Sequence, residues 1–280
     1  MRIAILFHEN ERGRRLERYY ITHLAKHWGE DGHEVEMVFG PEFVPADIAI
    51  VHVNLSVVPE PYLEAAARYP VSVNGRVGDI RKTTVSGNLV RAGDGYDGPA
   101  IVKANLNYGG RPERTLAAHP PGRLRRRLSR LGSHLSGRVH MGSQDEYRVY
   151  DSATEVPASC FKDDKVVVER FLPERDGEHY VIHNCHFLGD RVTGSCLWST
   201  DPIITQQNIA RSEREDSHPG IVAMREQMGF DYGKFDYVIH DGEAILIDAN
   251  KTTGAEDTTE PRKLERRRFM AEGLYSFLDT

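Results

Sequence analysis

Short apolar runs alternate with helix-type patterns over the first eighty residues, and this alternation constrains the fold more than any other feature. The strand-like runs are Arg2–Phe7, Glu34–Phe39, Asp47–Val53 and Val71–Asn74. Apolar residues at helical spacing lie between them, over residues 14–29 and 59–68. Strands that alternate with helices favour a parallel sheet with crossover helices. We therefore predict a small Rossmann-like α/β domain over residues 1–78. It lacks the G-x-G-x-x-G fingerprint, so no dinucleotide site is predicted.

The second half of the chain changes to β-type patterns. From Lys165 onward, apolar runs are separated by Gly-Asp and Asp-Gly turns, which predicts antiparallel hairpins. Helices are predicted over residues 220–228 and 260–278. The overall expectation is an α/β (α+β) protein of more than one structural unit.

Composition excludes several classes of function. The net charge is −6, which gives no electrostatic reason to expect a nucleic-acid partner. The three cysteines form neither a disulfide framework nor a C-x-x-C metal motif. The first apolar run has five residues, Ile3 to Phe7, too few for a signal peptide or a membrane span. We therefore expect a cytoplasmic protein without a membrane partner.

The last hairpin contains acids inside apolar strands, at Asp236 and Asp248. Carboxylates are costly to bury unless they are paired or bind a metal. Asp248 and Asn250 are two residues apart and share a face. A two-residue Asp241-Gly242 turn would pair residues 236 and 247 and leave Asp248 on the other face. A three-residue turn would bring residues 236 and 248 to one face, as a Mg²⁺ site requires, and we predict this form. The alternative is a structural hairpin with solvent-facing acids.

Two further segments carry patterns typical of nucleotide binding. Lys103 follows a β-branched run and precedes a Gly-rich stretch that ends at Gly109 and Gly110. A strand-borne lysine can reach a phosphate, and glycines let backbone N–H groups approach one. The run from Val166 to Glu174 is a strand that breaks at Pro173, where backbone groups can contact an adenine edge and a carboxylate can contact ribose hydroxyls. A core strand with a polar end is the alternative.

Taken in order, these segments resemble the ATP-grasp superfamily, which includes D-alanine–D-alanine ligase, glutathione synthetase and the ribosomal-protein glutamate ligases. The closing pattern DYVIHDGEAILIDANKTTG is similar to the family's metal motif and is the most specific part. The resemblance runs from the N-terminal domain to residue 254. It implies a pre-ATP-grasp domain at 1–78 and an ATP-grasp domain at 79–280, whose two subdomains clamp the nucleotide and include a lid at about 100–168.

The resemblance also implies roles for individual residues. The residues expected to bind the nucleotide are Lys82, Lys103, Gly109, Gly110, Glu169, Arg170, Phe171, Leu172 and Glu174. Of these, Glu174 is expected to contact the ribose. Metal binding falls to Asp236, Asp248 and Asn250, and Asn208 is expected to assist a second metal. Asp248 stands where many members have Glu, which makes bidentate bridging of two metals less certain. The family's D-x-R segment has no clean match, so Arg191 or Arg211 is expected to stabilise the transferring phosphoryl group.

The implied activity is ligation that depends on ATP and Mg²⁺, with Mn²⁺ as an alternative metal. A small-molecule or peptide carboxylate is activated as an acyl phosphate, which an amine attacks to give an amide, ADP and phosphate. Two alternatives stay open, a small-molecule kinase and a non-catalytic module that binds ATP or a partner. A homodimer is a further expectation, which rests only on dimers being the commonest soluble homo-oligomers.

Three remaining features have ordinary interpretations. The basic run Arg123–Arg130 fits an exposed helix with a solvated face. His179, His183 and His186 lie in a strand pair without a recognisable set of metal partners. Cys160 lacks a nearby His/Asp arrangement and is expected to be a small buried hydrophobe.

Overall fold

The computed structural model describes residues 1–117, 147–255 and 257–278. The basic run Arg123–Arg130 lies outside the described residues. Thirteen strands are described: β1 Arg2–Phe7, β2 Glu34–Phe39, β3 Ile48–Val51, β4 Val71–Val73, β5 Ala100–Ala104, β6 Arg148–Tyr150, β7 Val166–Arg170, β8 Glu174–Asp176, β9 His179–Leu188, β10 Arg191–Ser199, β11 Arg211–Glu215, β12 Tyr232–His240 and β13 Glu243–Asn250.

Six α-helices accompany these strands in the described part of the chain: α1 Tyr20–Glu30, α2 Glu60–Ala66, α3 Lys82–Val85, α4 Arg111–Leu116, α5 Pro219–Gln227 and α6 Pro261–Glu272. The first helix begins at Tyr20, six residues later than the apolar spacing from Arg14 predicts. The preceding residues form a 3₁₀ turn at Glu9–Glu11, and the buried Glu11 carboxylate contacts Arg18 and Tyr19. These polar contacts occupy the segment that the periodicity assigned to the helix.

The strands form three sheets. The N-terminal sheet is parallel, in the order β2-β1-β3-β4, as the alternating pattern predicts. The central sheet is antiparallel, in the order β11-β10-β9-β12-β13, with β8 paired to β9. A small antiparallel sheet, β6-β5-β7, forms the third layer. The mixed α/β expectation is confirmed.

Helices α1 and α6 join the N-terminal sheet to the central sheet. The indole N–H of Trp28 on α1 donates to the carbonyl of Ala271 on α6 at 2.8 Å. One apolar core runs from Phe7 of β1 through Trp28 to Tyr232 of β12. The position of the central sheet is therefore fixed by a continuous core rather than by a linker.

Asn74 makes a second connection at the end of β4. Its side chain donates to the carbonyl of Tyr232 and accepts from the N–H groups of Asp231 and Tyr232, at 2.7–3.0 Å. Asn74 is fully buried at a φ of 58°, a left-handed conformation that asparagine tolerates better than most residues. It anchors the start of β12, the strand that carries Asp236.

No helix among the described residues is long and apolar enough to cross a membrane.

Candidate nucleotide and metal site

A pocket lies between the small sheet and one face of the central sheet. The empty space between the walls, counted out through the open mouth into solvent, is about 880 Å³. Its lining is contributed by six strands of these two sheets and by the loops around them: Lys82, Asn88, Ile101, Lys103, Tyr147, Arg170, Phe171, Leu172, Pro173, Glu174, Tyr180, Val181, Ile182, Pro202, Ile203, Ile204, Asp236, Val238, Ile247 and Asp248.

The lining combines an apolar part with a charged part. Val238 and Asp236 are two residues apart on β12, so apolar and acidic side chains follow one another along one face of the strand. Ile203 and Ile204 add apolar surface from the loop before β11. The apolar part would suit a flat nucleotide base, and the charged part would suit the phosphates.

The hairpin of β12 and β13 brings Asp236 and Asp248 to one face, as predicted, but the pairing and the turn differ from the prediction. His240 pairs with Glu243 around a two-residue turn, in which Asp241 and Gly242 have φ values of 52° and 82°. Positive φ at both positions is the geometry that Asp-Gly favours in tight hairpins. The three-residue prediction is therefore wrong.

A β-bulge nevertheless brings the two acids together. Tyr237 pairs with Leu246, but Asp236 pairs with Asp248, so Ile247 is an extra residue on β13. Such a bulge re-aims side chains, and here the consecutive residues Ile247 and Asp248 both line the pocket. Asp236 and Asp248 face each other across the strands, with the pair Lys234 and Asn250 next to them.

Each acid of the charged part is paired with a lysine. Lys82 Nζ donates to Asp248 Oδ1 at 3.0 Å, and Lys234 Nζ lies 2.8 Å from Asp236 Oδ2. Lys103 Nζ lies 2.7 Å from Glu169 Oε2. Lysine is a compact point charge with three donors. The charged part therefore consists of buried or half-buried carboxylate–lysine pairs.

Burial and charge shift the pKa values in this cluster. Burial raises the pKa of Asp236, although Lys234 opposes the shift and Asp248 adds to it. Burial alone would lower the pKa of Lys82, but the Asp248 carboxylate outweighs it and the pKa is raised. The pKa of Lys234 is raised in the same way by Asp236. The lysines therefore stay cationic, and the acids lie where a divalent cation would be favoured.

Local structure explains how Lys82 and Lys103 reach the acids. Lys82 begins the short helix α3, whose first N–H groups bond Asn105 just after β5. Lys103 lies on β5 itself, and its Nζ also donates to the Ile247 carbonyl at 3.4 Å, at the bulge. Both lysines are buried, with 3% and 8% of their surface exposed.

Of the residues predicted to contact the nucleotide base and ribose, Arg170, Phe171, Leu172 and Glu174 line the pocket. Glu169 does not, because it points to Lys103 on the neighbouring strand β5. Glu174 is already engaged: Oε2 accepts from the N–H of Ile239 at 2.6 Å, and both oxygens lie 3.0 Å from His183 Nε2. Its contact with a ribose stays a prediction.

Gly109 and Gly110 lie outside the pocket lining. They end a 3₁₀ turn, Asn107–Gly110, in which Tyr108, Gly109 and Gly110 all have positive φ. Asn107 holds this turn against Ser56 and the Ala249 carbonyl, at 3.0 Å each. The stretch predicted to cover phosphates is docked against the N-terminal sheet and the end of β13.

The structure places neither predicted arginine in the pocket. Arg191 contacts Asp190 and Glu272 and lies over the ring of Phe269 on α6. Arg211 lies on the edge strand β11, paired with Glu213 at 2.8 Å and 3.9 Å from the Trp198 ring centroid. Asn208 is also outside the lining; its side chain bonds Ile203 and Thr205 within its own loop.

Sequence reasoning missed two polar residues beside the acids. Lys234 lies two residues before Asp236 and shares its face, and Asn184 on β9 lies directly across from Asp236. Period-two alternation from Asp236 would have identified Lys234. The position of Asn184 across from Asp236 depends on the register between β9 and β12, which the sequence does not show.

A polar network continues from the hairpin to the N-terminal sheet. Thr252 Oγ1 donates to Asn54 Oδ1 at 2.9 Å, and Asn54 Nδ2 donates to the Tyr19 hydroxyl at 2.8 Å. The Ser56 N–H donates to Glu113 Oε1 at 2.8 Å. Several buried atoms of this junction have no hydrogen-bond partner among the described residues: Glu11 Oε2, Asn107 Oδ1, Glu113 Oε2 and Lys251 Nζ. Buried polar atoms without partners are rare and often mark a bound water, ion or ligand.

The overall fold matches solved ATP-grasp enzymes. D-alanine–D-alanine ligase from Bacillus anthracis aligns with a TM-score of 0.51 and 12% identity, over 100% of this chain and 97% of that one. Macrocyclase MdnC from Microcystis aeruginosa MRC, solved with precursor peptide MdnA, aligns with a TM-score of 0.52 and 10% identity over the full length of both chains. The protein therefore has an ATP-grasp fold, as the resemblance implies. No protein-family profile and no curated protein matches the sequence.

Proposed function

We propose that the protein is an ATP- and Mg²⁺-dependent ligase that activates a carboxylate for attack by an amine. The observation that carries this proposal is the meeting of Lys82, Lys103, Asp236 and Asp248 at one end of a partly apolar pocket. Sequence order separates these residues by up to 166 positions, and the fold brings them within one site. The ATP-grasp fold supports ATP-dependent ligation in general.

The acids fit a magnesium ion. Asp236, Asp248 and Asn250 present hard oxygen atoms from adjacent strand positions, and few protein ligands suit an ion that keeps waters and phosphate oxygens. Asn250 Oδ1 now accepts from the Thr252 N–H at 2.9 Å, which orients the amide. Bound Mg²⁺, or Mn²⁺, would neutralise charge on the phosphates. Asn208 is not part of this proposal.

The residues of the pocket divide the work on the nucleotide. Arg170, Phe171 and Leu172 lie where the base would bind, at the exit of β7, and Glu174 lies where the ribose would bind. Lys82 and Lys103 would each exchange a carboxylate for phosphate oxygens. We assign to Lys234 the stabilisation of the transferring phosphoryl group, which sequence analysis expected of Arg191 or Arg211. Its cationic Nζ lies beside the proposed metal ligand Asp236.

The reaction then proceeds in two displacements. A carboxylate oxygen attacks the γ-phosphorus, the bond to the β,γ-bridging oxygen breaks, and ADP leaves. The amine nitrogen attacks the acyl carbon, the C–O bond breaks, and phosphate leaves while nitrogen loses a proton. Positioning and charge neutralisation supply most of the catalysis of the first step. The second step requires exclusion of water.

We place the carboxylate and amine at the junction of the N-terminal sheet and the hairpin. Among the described residues, Glu11 Oε2, Glu113 Oε2 and Lys251 Nζ are buried without a hydrogen-bond partner at this junction. Opposite charges would suit a substrate that carries both an amine and a carboxylate, either a small molecule or a peptide. The loop before β11 supplies Pro202, Ile203 and Ile204 to the nucleotide pocket instead.

We further propose the domain division at residue 78, with an ATP-grasp domain over 79–280 and a lid near 100–168. The strands β5, β6 and β7 of the small sheet fall within or next to that lid and cover the pocket. A homodimer in the cytoplasm stays a proposal as well.

Hydroxylamine trapping tests the reaction class. Purified protein is incubated with ATP, Mg²⁺, hydroxylamine and pools of carboxylic acids, and products are measured by mass spectrometry beside ADP release. A ligase yields a hydroxamate together with ADP, because hydroxylamine intercepts an acyl phosphate. ADP formation with a stable phosphorylated alcohol would replace the ligase by the kinase alternative. Nucleotide binding without turnover of any pool would favour the non-catalytic module.

A further inference from the structure

A second cluster of ligand-type side chains lies on the opposite face of the central sheet. His183 on β9 pairs across the strands with Cys196 on β10, and Glu215 on β11 pairs with Gly194 two residues away. One donor atom from each of His183, Cys196 and Glu215 lies within 4.8 Å of the others. His183 and Cys196 are buried, and the Glu215 side chain keeps 29% exposure at the sheet edge.

The donor set has the chemistry of a transition-metal site. Zinc in proteins is bound by imidazole nitrogen, thiolate sulfur and carboxylate oxygen, with bonds of about 2.0–2.3 Å. Such bonds place tetrahedral ligand atoms roughly 3.3–3.8 Å apart. The donor atoms lie within 4.8 Å of one another. His183 Nδ1 and Glu215 Oε1 are hydrogen-bonded at 2.5 Å and would move apart to bind one ion.

Glu174 supplies the partner that a metal-bound histidine needs. Metal-ligating histidines almost always donate their second ring N–H to a carboxylate or carbonyl, which fixes the tautomer and ring orientation. Both Glu174 oxygens lie 3.0 Å from His183 Nε2, on the side away from Glu215. The Ile239 N–H holds Glu174, and the Tyr237 ring stacks on the imidazole at 5.1 Å between centroids. His183 is therefore oriented with Nδ1 toward Glu215.

We propose that His183, Cys196 and Glu215 bind a divalent transition metal, with zinc as the favoured ion and water in the fourth position. The metal replaces the thiol proton of Cys196 and takes the Nδ1 lone pair of neutral His183. It ties the edge strand β11 to β10 and β9. Through His183 it also fixes Glu174, which lines the nucleotide pocket on the other face. This site is separate from Asp236 and Asp248 and does not depend on the proposed ligase reaction.

Cobalt substitution tests the site by a signal that requires a sulfur ligand. The full chain is treated with a chelator, dialysed and titrated with Co²⁺ under reducing conditions while the near-ultraviolet spectrum is recorded. We expect one equivalent of Co²⁺ to give a thiolate-to-cobalt charge-transfer band, and one equivalent of Zn²⁺ to displace it. Inductively coupled plasma mass spectrometry then gives the zinc content per chain.

Four variants give the assignment. Cys196→Ser is expected to abolish the band, and Glu215→Gln at the exposed edge to weaken metal binding by about 100-fold or more, beyond the roughly 10–100-fold that loss of an orienting partner costs. Cys185→Ser is the matched control, because Cys185 lies two residues from His183 on β9 and outside the donor group. Asp248→Asn should keep the band, since its site holds no sulfur.

Two results would overturn the proposal. One is the absence of a band in the wild-type protein whose circular dichroism shows a folded chain. The other is a band that survives Cys196→Ser or disappears in Cys185→Ser. If Cys196→Ser does not fold, Glu215→Gln decides: an unchanged zinc affinity in that variant contradicts the site.

Discussion

The two faces of the central sheet use the same strands for different chemistry. The pocket face carries Asp236, Asp248 and the paired lysines beside an open cavity. The back face is filled by an aromatic core around Phe187 and Phe235 and closed by α5, and His183 on β9 introduces polar groups beside this core. The pocket face therefore presents charged groups to a cavity, whereas most of the back face is filled by packed side chains. The position of Asp236 depends on the rigidity of the face behind it.

Phe235→Ala removes the centre of the back face and should have the largest effect. Phe235 is fully buried and packs edge-on against Phe187 and Phe230, with centroids 5.1 Å and 4.9 Å apart. We expect a loss of about 3–5 kcal/mol in the free energy of unfolding, measured by urea denaturation. Val238→Ala on the pocket face is the control and should lose less than half as much, because its neighbour is a cavity. Equal losses would remove the distinction between the faces.

Asp248→Ala should abolish the effect of Mg²⁺ on nucleotide binding and leave the fold intact. The variant removes a proposed metal ligand and also leaves Lys82 without its 3.0 Å partner. We expect the affinity measured with Mg²⁺ to fall by about 100-fold, near 2.7 kcal/mol. Glu243→Ala, an exposed residue at the far end of the same strand, is the control. A Mg²⁺ effect that persists in Asp248→Ala would assign the metal elsewhere.

The sequence predicted much of the pocket face because its residues lie in contiguous motifs. Asp236, Asp248, Asn250 and Lys103 each stand in a short pattern whose chemistry can be inferred locally. The bulge at Ile247 was not predicted, since its extra residue is accommodated by contacts such as the Lys103 Nζ to Ile247 carbonyl bond. The turn was predicted wrongly because the strong preference of Asp241-Gly242 for a two-residue hairpin was set aside.

The back-face cluster could not be predicted for a different reason. His183, Cys196 and Glu215 stand on three successive strands, and only the pairing register places them together. Register depends on turn geometry and on the buried pattern of the whole sheet. The sequence also did not show whether Arg191 or Arg211, expected to stabilise the phosphoryl group, reaches the pocket. Both side chains lie outside its lining.

Lys103→Ala should weaken nucleotide binding without removing the response to Mg²⁺. In the proposed site Lys103 would supply a charge to a phosphate, and its own contacts are with Glu169 and the Ile247 carbonyl rather than with Asp236 or Asp248. We expect about 10-fold weaker binding, near 1.4 kcal/mol, by isothermal titration calorimetry. The buried Glu169 loses its partner at the same time, so stability is followed by thermal unfolding. The double variant Lys103→Met, Glu169→Gln separates the two effects, and full nucleotide affinity in it would exclude Lys103 from the site.

Glu174 lines the pocket and also contacts His183 on the back face. Glu174→Gln should therefore weaken nucleotide binding and metal binding, each by less than the substitutions above. The amide keeps the shape of the side chain but weakens its bond to His183. We expect a few-fold loss of nucleotide affinity and the loss of about 10-fold or more in cobalt affinity. Glu178→Gln, in the exposed turn before β9, is the control. An effect on the nucleotide alone would separate the two faces completely.

Calorimetric titration of the wild-type protein with a non-hydrolysable ATP analogue, with and without Mg²⁺, tests the central claim most directly. The account predicts micromolar-range binding that strengthens with Mg²⁺, and it predicts that Asp236→Asn removes the strengthening. No binding under either condition, in protein that circular dichroism shows to be folded, would contradict the nucleotide site and with it the proposed ligase.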